Sequence, residues 1–151
     1  MNIFVFNEDP KLAANDHCAK HMVKMPLELT QMLCTNVNLK GIVTPYKSCH
    51  VNHPCTKWVR ESKENFDWAC EHTQALFENY SKFFKKIHKS QAVFELVKNY
   101  NSLFEAKGLT PFAQAMPDVY KNSDVTIAYR NYFKGEKLHL AEWKGQKPSW
   151  A

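Results

Sequence analysis

Glycine is scarce in this chain, four residues in 151, and that scarcity argues against a many-turned β architecture. No stretch approaches the apolar length of a membrane span, so no contact with a membrane is expected. The opening MNIFVFNEDP has neither the basic start nor the small-residue cleavage site of a secretion signal, which points to a cytoplasmic protein. No two of the five cysteines form a CxxC pair, and Cys18, Cys34 and Cys70 fall inside helical patterns. They read as reduced, buried thiols. Cys49 and Cys55 bracket HVNHP, but the spacing fits no common zinc module, and neither a metal nor another cofactor is expected. Strong charge is missing as well. Lysine supplies nearly all of a net +5, which permits an anionic partner without demanding one.

What the chain does have is helix punctuation. NIFVF is a short β-like run at the N-terminus. Asp9 then offers an N-cap and Pro10 a first helical position, predicting a helix to about Asn38, kinked at Pro26. KGIVTPYKSCHVN is a loop. Pro54 opens a longer helix to Lys86, with Trp58, Phe66, Ala69, Thr73, Leu76, Phe77, Tyr80 and Phe84 at helical spacing. Ser90 caps a third helix through Phe104, ended by Gly108. After the proline-punctuated LTPFAQAMPDVYKN, Ser123 caps a last helix that stops at Gly135, and the tail is irregular. Nothing resembles a repeat or a linker. The expectation is one compact, mainly α domain over residues 1–151, a bundle of four to five helices.

The first helix carries the residues of chemical interest. In DHCAKHMVKMPLELTQML, Asp16 to Leu33, a stripe roughly 80° wide holds His17, His21, Lys24, Glu28 and Gln31, with Lys20 beside it. Most of the remaining circumference is apolar, so the polar stripe faces either bulk water or a cleft between neighbouring elements. In water, Lys24 and Glu28 are an ordinary i,i+4 ion pair. In a cleft, the same groups serve proton transfer and stabilisation of a charged intermediate. HCAKH lacks the glutamate of HExxH and carries Lys20, an ammonium that disfavours a bound cation. Further on, Asn52 and His53 precede a helix N-terminus, where free N–H groups favour a phosphate, and Arg60 lies about two turns inside. Equally, Asn52 is a capping residue. Arg130, among the aromatics of YRNYFKGEK, either grips phosphate or packs the last helix.

KHMVKMPLELTQML, NHPCTKW and NFDWACEHTQALFENYSKFFKKIHK together resemble the phage and bacterial pyrimidine dimer DNA glycosylases of the endonuclease V type. Lys20, Lys24, Glu28, Gln31 and Leu33 fit the rhythm of that family's basic helix. Asn52, His53, Pro54 and Trp58 fit its NHP…W element, and KPSW, Lys147 to Trp150, is similar to a Lys/Arg–Pro–Thr–Trp element near its end. The likeness runs from the N-terminus to Lys89 plus this tail and suggests a phage branch of the family. It implies a mainly helical fold with a short N-terminal extended segment inserted between helices, and DNA or a nucleotide as partner. It also implies a reaction: a primary amine attacks deoxyribose C1′, the damaged base leaves, and an imine permits strand cleavage. The amine must be unprotonated, which burial near other cations favours, and a carboxylate supplies negative field where positive charge develops.

On this resemblance Glu28 is the carboxylate, and Lys24 or the α-amine of Met1 is the nucleophile. His17 and His21 are proton carriers or phosphate ligands. Lys20, Gln31, Asn52, His53, Arg60 and Arg130 hold substrate or phosphate. The chain departs from the pattern in two places. Asn2 follows Met1, where the family exposes a threonine by removal of methionine, and alignment through DH and the proline puts Lys24 rather than Glu28 at the carboxylate position. Two alternatives stand beside the glycosylase: a non-catalytic phage protein binding nucleotides or a host protein, and an N-glycosidic hydrolase of free nucleosides or nucleotides.

Overall fold

Two of the helices expected to be continuous are each broken in two. The computed structural model covers residues 1–151 and contains six α-helices and no strand. They are α1 (Pro10–Asn15), α2 (Ala19–Leu39), α3 (Pro54–Glu61), α4 (Lys63–Phe84), α5 (Gln91–Val97) and α6 (Val125–Glu136). Short 3₁₀ turns at Lys98–Leu103, Asp118–Tyr120 and Leu138–Leu140 complete a compact, single-domain helical bundle. No helix is long and apolar enough to cross a membrane.

The first break falls at Asp16–Cys18, which contains neither glycine nor proline. Asp9 caps α1 as expected, its carboxylate accepting from the N–H groups of Lys11 and Leu12. The helix then ends because the C-terminal tail supplies other partners for its backbone. Ala19 N–H donates to the Glu142 carbonyl, and the Trp143 indole N–H donates to the Asp16 carbonyl at 3.0 Å. The Trp150 indole donates to the Asp16 carboxylate at 2.9 Å, and His17 Nδ1 bonds the Ala13 carbonyl at 2.8 Å. The Asp16 and His17 N–H groups close the turn onto the Ala13 and Ala14 carbonyls, and the tail and the His17 ring supply the other partners named here.

The second break is Ser62, extended at φ −153° and ψ 161° between α3 and α4. Its hydroxyl accepts from Asn65 N–H, while Asn65 Nδ2 donates to the Trp58 carbonyl at 2.7 Å and so occupies an acceptor left over by α3. Lys63 N–H turns outward to the Glu105 carbonyl. α2 by contrast runs through Pro26. The proline has no N–H to offer, and the local backbone is served by Thr30, which donates to the Pro26 carbonyl, and by His88, bonded to the Val23 carbonyl at 2.8 Å.

Three smaller expectations are corrected. The third helix is a short α5 that tightens into 3₁₀ geometry, and Ser90 makes no capping bond because its hydroxyl pairs with Tyr46 Oη at 2.9 Å. Asp124, not Ser123, caps α6, accepting from Thr126 and Ile127 N–H. Gly135 does not stop α6, which continues to Glu136; a Cβ there would run into the Tyr120 ring.

The N-terminal segment is the centre of the packing. It forms no strand, yet Ile3, Phe4, Val5 and Phe6 are all buried in the main apolar cluster. Phe4 stacks on His21 of α2 at 4.6 Å, and its ring also meets Tyr129, Tyr132 and Phe133 of α6. Phe6 packs on Trp150 at 4.8 Å. Phe4 adopts φ 57°, a left-handed conformation that costs a non-glycine residue roughly 1 kcal/mol or more and persists only where packing over-determines it.

Candidate active site at the chain's first amine

Because the N-terminal segment is wedged between α2 and α6, its first amine is delivered to the middle of α2. Met1 N lies 3.3 Å from Glu28 Oε1. The Met1 side chain is 3% exposed and that of Glu28 14%, so the carboxylate is largely shielded, while Met1 as a whole is half-buried and keeps backbone surface open to water. Glu28 Oε2 is buried with no hydrogen-bond partner, an acceptor left open beside the amine. Asn2 fixes the direction of approach. Its Oδ1 accepts from Ile3 N–H at 2.8 Å, and its Nδ2 donates to the Ala115 carbonyl at 2.8 Å. Thr56 of α3 points its hydroxyl at the Met1 sulfur.

His53 stands at the mouth of α3 as its N-cap, with Nδ1 accepting from Cys55 N–H at 3.1 Å. That bond places the imidazole proton on Nε2 in the neutral ring. Burial, then the positive charges of the chain's amine and His50, push His53 below its ordinary pKa, against the pull of Glu28. Amine, carboxylate and imidazole therefore belong to one electrostatic group. The roles of nucleophile and counter-charge are available in it from Met1 and Glu28, and His53 offers its Nε2–H as a donor.

The remaining residues singled out in the sequence are distributed differently. Gln31 is half-buried on the same side of α2. His17 does not lie on the helical stripe at all. It sits in the break before α2, 1% exposed, packed against His72 at 5.2 Å and Phe6 at 5.3 Å. Burial, then His72 and His21, hold its pKa well below the usual imidazole value. Lys20 and Lys24 are exposed and gather with His21 away from the amine. Asn52 is exposed. Arg60 clamps α3 to the rest of the fold, donating to the Val51 carbonyl at 2.7 Å and to Asn36 Oδ1 at 3.2 Å. Arg130 donates to the Phe6 carbonyl at 2.9 Å and lies over the Trp150 ring. Both arginines are tied to this chain's own backbone.

Sequence reasoning missed Thr56, Ala115, His72 and Lys137. His72 sits among Trp68, Ala69, Thr73 and Leu76 on the apolar face of α4, and a histidine on such a face was the available signal. Ala115 contributes only its carbonyl, which leaves no mark in side-chain chemistry.

No group of three or more His, Cys, Asp or Glu side chains is arranged to hold a metal ion, and all five cysteines are free thiols. The largest cavity, about 440 Å³, lies between Asn15–His17, the end of α4 and the tail. Glu28 and Met1 line none of the larger cavities. Comparison with family models, curated proteins and solved structures finds no match.

Proposed function

We propose that the chain is a DNA glycosylase-like enzyme that cleaves an N-glycosidic bond with its own α-amine. The observation that carries this reading is the 3.3 Å approach of Met1 N to a shielded Glu28. Of the two amines considered from the sequence, Met1 pairs with the carboxylate, whereas Lys24 is solvent-exposed and faces other lysines. Met1 is therefore the nucleophile in this mechanism. The ammonium first yields a proton to Glu28, the carboxylate beside it. Its lone pair then forms a bond to C1′ as the bond from C1′ to the base breaks, and the leaving base takes a proton with its electron pair. Opening of the C1′–O4′ bond leaves an imine between Met1 and the sugar. Loss of a C2′ proton then expels the 3′ phosphate. Glu28 supplies negative field where the sugar becomes cationic. DNA is the partner this chemistry requires, and the proposal places the protein with the phage and bacterial glycosylases it resembles.

Borohydride trapping on abasic and dimer-containing DNA tests the reading. The expected result is a covalent adduct that peptide mass mapping locates at Met1 and that Glu28→Gln loses. No adduct, together with unchanged behaviour of Glu28→Gln, rejects it. One observation favours a second reading, a non-catalytic nucleotide-binding protein: neither Met1 nor Glu28 opens onto a large cavity. A bound, chemically unaltered nucleotide with no trapped adduct is the outcome that selects it.

A further inference from the structure

A shallow depression separates the start of α2 from the end of α6. Its lining includes Lys20, His21 and Lys24 on one side and Phe133 and Lys137 on the other. No carboxylate lines it, and none of its three lysines takes part in an ion pair anywhere in the structure. Three uncompensated ammonium groups converging from two helices repel one another, and each forgoes a counter-charge that a surface lysine ordinarily finds in water or salt. His21 registers the resulting field. Burial first, then Lys137, Lys24 and Lys20, lower its pKa to about 4, so the ring is neutral at physiological pH and keeps one N–H to donate. Its Nδ1 is buried without a partner.

We propose that Lys20, Lys24 and Lys137, with the neutral imidazole of His21, form a binding site for a single phosphate group. The size of the depression decides the class of ligand. At about 100 Å³ it is well below the roughly 300–1,000 Å³ pockets that take whole small molecules, which suits a small anion such as phosphate. Charge decides the sign, with two lysines supplied by the start of α2 and one by the end of α6. Lys24 lies one turn before Glu28 on the same face of α2. In this site Lys24 is a phosphate ligand rather than a nucleophile. Lys137, placed at the C-terminal cap of α6 and beside the Tyr132 ring, completes the site from a part of the chain far from α2. The proposal rests on the glycosylase reading only for the source of the phosphate, a DNA backbone in preference to a free phosphorylated metabolite.

The test follows the imidazole resonances of His21 and His72 by NMR in the full-length protein, with inorganic phosphate as the first probe. Phosphate is expected to shift His21 selectively and to raise its pKa, with His72 unmoved. Lys137→Gln abolishes that response, Lys137→Arg retains it, and Lys121→Gln, outside the lining of the depression, leaves it intact. The second probe is a single-stranded oligonucleotide without terminal phosphates. Its binding weakens with salt, and Lys137→Gln lowers the slope of log K against log salt by about 1. A phosphate response with no oligonucleotide binding keeps the site and removes the glycosylase reading. A trapped covalent adduct with no selective His21 response removes the site and keeps the glycosylase. No His21 response, an equal response of His72, or a full response in Lys137→Gln overturns the proposal.

Discussion

Two charged regions share one face of α2 and are built in opposite ways. Around Glu28 a single amine meets a single, largely shielded carboxylate, and the positions are set by the buried segment Asn2–Phe6. Around His21 three ammoniums stand at the surface with no carboxylate among them. The first region is neutral overall and rigid; the second is cationic and open. On the proposed function, the contrast separates chemistry from capture. A reacting amine gains from exclusion of water and fixed distance, while a group that collects an anion gains from uncompensated charge and access.

The largest effect is expected where the rigid region loses its wedge. Phe6→Ala removes a fully buried ring that touches Trp150 and Phe133, and about 3–5 kcal/mol of stability with it, measured by denaturant unfolding. A loss below roughly 1 kcal/mol would mean that the N-terminal segment is not held as described. Glu28→Gln keeps the shape and deletes the counter-charge, and should slow borohydride trapping by about 10²–10³-fold with little loss of stability. Lys137→Gln should leave the trapping step itself nearly unchanged at saturating DNA, which is the comparison in its sharpest form.

Acidification separates the cationic region from the apolar core through one histidine in each. His72 is buried and, chiefly through burial, its pKa falls to about 4; His21 falls equally far but owes part of the shift to the lysines. In the unfolded chain both titrate near 6.5. Between pH 6.5 and about 4 the unfolded state takes up protons that the folded state refuses. Stability is therefore full above 6.5 and drops by roughly 1 kcal/mol per pH unit for each such histidine as pH falls through that window. His72→Gln should flatten the slope by one proton in calorimetry at stepped pH. Added phosphate should flatten the contribution of His21 and leave that of His72 untouched.

Two smaller effects complete the series. Asn2→Ala leaves Ile3 N–H and the Ala115 carbonyl without partners and should cost about 1–3 kcal/mol, with a lower trapping rate as the amine loses its fixed direction. Asp124→Ala should cost about 1 kcal/mol through loss of the α6 cap, whereas Ser123→Ala should cost almost nothing.

Legibility varied with the range of the interaction. The Asp9–Pro10 start, the apolar face of α4 and the helical class were readable because they depend on neighbours within a turn or two. The break at Asp16–Cys18 was not, since its cause is Trp143 and Trp150 more than a hundred residues away. Ser62 hid a second break in the same manner, because Asn65 and Glu105 satisfy what a continuous helix would have used. Of the polar stripe, His21, Lys24 and Glu28 do share a face of α2, but His17 left it with the helix break. Arg60 and Arg130 read as free cations in one dimension and are bonded to backbone carbonyls in three.

By itself the sequence determined that this chain is helical, where its polar residues gather along α2, and that lysine dominates its charge, because periodicity and composition are local properties. Only the tertiary structure decided that the first amine would face Glu28 and that Lys137 would join Lys20 and Lys24. Both outcomes come from burying the N-terminal segment between α2 and α6, and that burial is a choice among distant apolar surfaces that no short window of residues encodes.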